Sequence, residues 1–165
     1  MAAIWTSYEK DPKFTGETAA ADQGSPAAAA AIFYTEFERT LDHLHALGVP
    51  AVVVDEVTYP PHGQFHPAAK ARQIWHNTGG GVVGLSLADY TLRQANYELF
   101  LEQRSDANLH RVKTSIGLCG EDGFCSVFFR GYSVYFDGHH LSTRGAALLA
   151  PELERVLSVA ITADS

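Results

Sequence analysis

AVVVDEVTYPPHGQFHP, Ala51–Pro67, passes from an unbroken β-branched run into a segment that no regular element can contain. Val52, Val53 and Val54 follow one another without polar alternation, the pattern of a strand covered on both faces. Pro60, Pro61 and Pro67 then remove backbone donors and fix the chain, so Tyr59–Pro67 is a loop at that strand's carboxyl end. A strand covered on both faces requires helices around it.

The flanking sequence supplies them. From Ala27 to Leu47, Phe33, Phe37, Leu41 and Leu44 recur at helical spacing, and Gly48 followed by Pro50 provides the stop. Before that helix, AAIW (Ala2–Trp5) reads as a short buried strand and Tyr8–Pro26 as a long surface loop. Beyond Pro67, NTGGGVVG is a break. LSLADYTLRQANYELFLEQ then places Leu85, Tyr90, Leu92, Leu99 and Phe100 in a helical pattern. VKTSI (Val112–Ile116) is the next strand candidate, and Ser142 or Thr143 caps a last helix running towards Ala160, with Pro151 bending or restarting it. Strand and helix alternate, which predicts an α/β fold: a three-layer αβα sandwich around parallel strands joined by right-handed crossovers, residues 1–165 forming one domain. In such sheets chemistry gathers beyond the strands' carboxyl ends.

The whole chain narrows the functional classes. Its 165 residues carry a formal net charge of −7 without a basic stripe, which makes nucleic acid a poor partner. The apolar runs fall short of the roughly 20 residues a membrane helix needs, and MAAIWTSYEK lacks the layout of an export signal. Cys119 and Cys125, separated by GEDGF, suit either a short disulfide loop in an oxidising compartment or two reduced thiols in the cytosol. Zinc is the weaker reading, because a structural site usually takes four Cys or His ligands and no second CxxC or ordered His pair accompanies these two.

YFDGHHLSTRGA, Tyr135–Ala146, holds the chemistry. Asp137 stands three residues before His140, a spacing that lets a carboxylate accept from Nδ1–H, fix the tautomer and leave Nε2 free to take a proton. His139 falls at the wrong spacing, and Ser142 reads as a helix cap. The bland reading, a solvated loop Asp and His, holds for the spacing taken alone.

The block FDGHHLSTRGA resembles the DxxHLSxxGA block of SGNH-type esterases, above all the SGNH domain at the carboxyl end of membrane acyltransferase-3 proteins that O-acylate bacterial surface polysaccharides. Cys119 and Cys125 look like that family's cysteine pair, AVVVDEVTYPP like its strand and proline-bearing loop, and AAIWTSY like a strand leading into a Trp and a Tyr. The resemblance implies that Asp137 orients His140, the general base, in a serine ester mechanism without cofactor or metal. It also implies a Cys119–Cys125 disulfide, a periplasmic location, an acyl ester of a glycan or small molecule as substrate, and a membrane acyltransferase domain as partner. One departure is large. The family's nucleophilic serine lies in a GDS block after the first strand, and no GDS occurs in these residues. Ser86, in GLSL, is a poor substitute, lacking the Asp and the preceding apolar strand. The family's oxyanion-hole blocks are not visible either. The expectation is a domain beginning near the family's third strand and lacking its first two, catalytically incomplete alone, with AAIW as an exposed sheet edge.

Other histidines and aromatics carry less. His62 and His66 lie among prolines and read as solvated loop residues, His43 and His45 as helix-surface residues. Trp75, Tyr90, Tyr97 and Phe100 read as packing, with a Trp near the site able to stack on a sugar. A noncatalytic remnant or interaction domain of the same fold is the alternative to the enzyme, and a histidine-based metal module ranks last.

Overall fold

The computed structural model describes residues 26–58, 84–104 and 106–162. AAIW, the Tyr59–Pro67 loop, Trp75, His62 and His66 lie outside them, and with them the expectations about missing strands and an exposed edge. Helix α1 (Pro26–Ala46) ends as its sequence requires. Gly48 adopts φ 67°, and the N–H groups of Gly48 and Val49 return to the carbonyls of His45 and Leu44. Strand β1 (Ala51–Val54) pairs in parallel with β3 (Leu109–Val112), Ala51 opposite Leu109 and Val54 opposite Val112. This parallel pair is the α/β centre of the described chain.

The remaining ladders are antiparallel, which corrects the expectation of a purely parallel sheet. Strand β2 (Gly84–Ser86) pairs with β4 (Phe124–Ser126), and β5 (Phe128–Phe129) forms a hairpin with β6 (Tyr132–Ser133). VKTSI is not a strand. Its first residue ends β3, and Thr114–Leu118 forms the short helix α4. The reason lies across the sheet, where Thr114 donates its hydroxyl to the Glu56 carbonyl at 2.6 Å, an anchor made by a turning chain.

The expected helix from Leu85 onward divides in two, α2 (Leu87–Arg93) and α3 (Ala95–Glu102). Gln94 stands at the break, fully buried, with its amide donating to the Glu56 carboxylate. A buried acid needs such a partner, and that demand overrides continuous helical propensity. Leu92 and Leu99, placed in the apolar pattern, are solvent-exposed, whereas Tyr90 and Tyr97 are buried.

Two apolar clusters hold the elements. Leu41 of α1, Val53 of β1 and Tyr97 and Leu101 of α3 form one, so α1 and α3 share the strand face that carries Val53. Arg111 on β3 continues it as a polar layer, bonding Asp55 at 2.6 and 2.8 Å and Glu98 at 2.5 and 2.6 Å. The second cluster gathers Val57, Leu118, Val127, Val134 and Tyr135. Helix α5 (Thr143–Ala147) precedes α6 (Ala150–Thr162), which packs against both β1 and β3. Pro151, in the first turn of α6, marks a restart after the Leu148–Leu149 turn.

Candidate active site

Two anchors place the Tyr135–Ala146 segment. The Tyr135 hydroxyl meets Thr58 Oγ1 at 3.1 Å, tying the segment to the chain that leaves the carboxyl end of β1. Burial pushes that phenol up to about 12, so it stays neutral and serves as a strut. Ser142 is the second anchor: its N–H donates to Val134 O at 2.9 Å and its hydroxyl to Ser133 O at 2.7 Å. The same oxygen accepts Gly145 N–H at 3.0 Å and caps α5. Gly145 is required there, because a Cβ would come within 1.9 Å of Val134 O.

Between the anchors the chain makes a tight loop. Tyr135 bridges Leu141, and Phe136 N–H donates to His140 O at 2.7 Å. Asp137 Oδ1 accepts the backbone N–H groups of His139 at 2.9 Å and His140 at 2.8 Å, and Oδ2 lies 2.7 Å from His140 Nδ1. The two backbone donors and then the imidazole hold this carboxyl well below the usual carboxylate range. An ionised acid on Nδ1 favours the tautomer protonated at Nδ1. Nε2, which has no partner among the described residues, is then the basic nitrogen. The imidazole is 65% exposed and open to a reactant.

His139 lies beside this pair. Its Nδ1 is 3.9 Å from Asp137 Oδ1, and its ring centroid is 4.1 Å from that of His140. Asp137, His139 and His140 each place one donor atom within 4.8 Å of the others, a grouping, among the described residues, that could hold a metal ion. Both Asp137 oxygens face N–H groups of the loop, and the exposed Nε2 of His140 is the group open to a proton.

Ser86 has a different employment. Its oxygen accepts Asp89 N–H at 3.0 Å and its hydroxyl donates to the Asp89 carboxylate at 2.6 Å, the work of a helix cap. His45 contacts Asp106 at 3.0 Å on the surface, and His43 is exposed on the same helix. Cys119 and Cys125 are joined by a disulfide, S–S 2.01 Å, which closes the loop before β4. Sequence reasoning passed over Thr58 and the buried Glu56–Gln94 contact. Their signal was polarity inside an apparently apolar strand, DEVT after AVVV.

A family model described as SGNH domain (fused to AT3 domains) matches residues 1–155. No curated protein and no solved structure gives a significant match to the chain. Among the described residues, no helix is long and apolar enough to cross a membrane.

Proposed function

The chain belongs to the family of SGNH domains fused to AT3 domains, and from that membership we propose that it is a serine esterase or O-acyltransferase domain acting on acyl esters of bacterial surface polysaccharide. In this reading it is one three-layer α/β domain, working outside the cytoplasm beside a membrane acyltransferase domain. Family membership supports ester hydrolase or acyltransferase chemistry in general; acetyl esters, the glycan and the location are our own extension. The observation that carries the reading is the 2.7 Å contact between Asp137 and His140 Nδ1.

The mechanism assigns each atom a task. His140 Nε2 takes the proton of a serine hydroxyl as that oxygen attacks the acyl carbonyl. The resulting tetrahedral oxyanion collapses, the alkoxide leaves with the proton from Nε2, and an acyl-serine remains. Water gives hydrolysis and a sugar hydroxyl gives transfer: either one loses its proton to Nε2 while attacking the acyl-enzyme, and the serine recovers that proton. Asp137 stays ionised, orienting the ring and stabilising the imidazolium. The capping roles of Ser86 and Ser142 leave both poorly suited as the nucleophile, which in enzymes of SGNH type is the serine of a GDS block.

The test is hydrolysis of a chromogenic acetate ester by the protein, with and without His140→Ala. Turnover that collapses in the variant, together with phosphonate labelling of one serine, is the expected result. Turnover indifferent to His140 would overturn its assignment as the base, and no turnover above the buffer rate would leave the noncatalytic alternative.

A further inference from the structure

The hairpin beside the site carries a feature that ester chemistry does not use. Phe129, Arg130, Tyr132, Ser133, Arg144 and Gly145 line a pocket of about 310 Å³ between the β5–β6 hairpin and α5. Its wall is continuous with the His140 loop, since Ser133 accepts the hydroxyl of Ser142, two residues after His140. In a chain of net charge −7, the pocket presents two guanidinium groups, and neither Arg130 nor Arg144 has a carboxylate partner among the described residues.

Both arginines lie over aromatic rings that are half open to solvent. Arg144 is 3.4 Å from the centroid of Tyr132, which is 50% exposed, and Arg130 is 5.2 Å from that of Phe129, which is 46% exposed. The turn that presents Arg130 is a two-residue loop with φ 49° at Arg130 and φ 79° at Gly131. Left-handed backbone at the first position suits Asn, Asp or Gly, so an arginine there is conformationally disfavoured. Such an outlier, next to a pocket, points to a use for the side chain.

We propose that this pocket binds an acidic sugar, a pyranose bearing a carboxylate, as part of the glycan. This rests on the reading that the domain acts on sugar esters. Aromatic faces pack against the apolar face of a pyranose ring, and a planar guanidinium accepts a carboxylate through paired N–H donors. The neighbouring His140 would then meet an ester borne by an acidic polysaccharide.

The experiment is binding of a short oligomer of galacturonic acid to the full-length protein, compared with a neutral oligoglucose of equal length. The variants are Arg130→Gln/Arg144→Gln and Tyr132→Ala. The acidic oligomer should bind more tightly than the neutral one, weaken as salt rises, and lose about tenfold or more in the double glutamine variant. Tyr132→Ala should weaken both oligomers. An unchanged His140 imidazole resonance in each variant shows that the neighbouring loop is intact. Equal affinity for the two oligomers, no binding of either, or a double variant that binds normally would overturn the proposal. Absence of oligouronate binding by the unmodified protein alongside His140-dependent esterase turnover would strike this inference alone. Retained binding with turnover independent of His140 would strike the catalytic reading alone.

Discussion

The carboxylate of Asp137 reaches His140 twice, through the backbone N–H at 2.8 Å and through the ring Nδ1 at 2.7 Å. The first contact builds the loop and the second orients the base, and the two can be separated by mutation. Asn at position 137 retains an oxygen for the backbone donors while presenting an amide to the ring, where it favours the wrong tautomer. Asp137→Asn in the full-length protein should therefore fold and bind ester, yet lose about 100-fold or more in kcat. Steady-state kinetics with the acetate ester, alongside a thermal melt, checks this.

The same carboxylate sets a pH dependence. Its native pKa lies below its ordinary value of 3.8, so the stability it contributes is complete above 3.8 and drains away as pH falls through the depressed native value. Wild type and Asp137→Asn should therefore differ by a constant stability at neutral pH, and the difference should shrink only in strong acid. Denaturant unfolding from pH 7 down to about pH 2 reads it directly. A gap that closes above pH 5 would contradict the assignment.

Gly145 and Val134 lie too close for any side chain. Gly145→Ala should displace α5 from the loop that carries His140 and cost about 1–3 kcal/mol, visible as a lowered melting temperature. The neighbouring exposed position offers the control: Ala146→Ser should change little.

Removing the arginine that joins two acids should cost more. Arg111 bridges Asp55, which is 1% exposed, and Glu98. Arg111→Met leaves a buried carboxylate unpaired and should destabilise by about 3–5 kcal/mol in denaturant unfolding. Pairing it with Asp55→Asn should recover part of that loss.

The Cys119–Cys125 bond closes a small loop ahead of Cys125, which is fully buried opposite Leu85. Replacing both cysteines by serine should lower stability by about 2 kcal/mol on the loop-entropy account. Burying a hydroxyl at position 125 adds to this, so Cys125→Ala is the gentler partner. Intact mass under non-reducing conditions establishes the bond beforehand.

Much of this arrangement could be read in the chain before any coordinates. Local signals carried well: the periodicity of Ala27–Leu47, the stop at Gly48, the cap at Ser142 and the restart at Pro151 each depend on residues close in sequence. Long-range demands did not. Nothing near Gln94 announces that it must meet Glu56, and so the helix break there was invisible. VKTSI has the composition of a strand, but Thr114 is held by the Glu56 carbonyl, in the segment that leaves β1. The Asp137–His140 spacing was legible because both residues belong to one turn. The arginine pocket was not, because Arg130 and Arg144 line one pocket only once the hairpin folds against α5.

Because peptide N–H groups as well as the imidazole hold the Asp137 carboxylate, the acid's position does not depend on the ring it orients. Excising that ring would leave a notch open to solvent, with an anchored anion at its base and the His139 ring along one side. A small diffusible heterocycle fits that description of a vacancy. The domain is thus suited to chemical complementation: His140→Ala, silent in buffer, should regain ester turnover in proportion to added imidazole, giving a switch operated from the bottle.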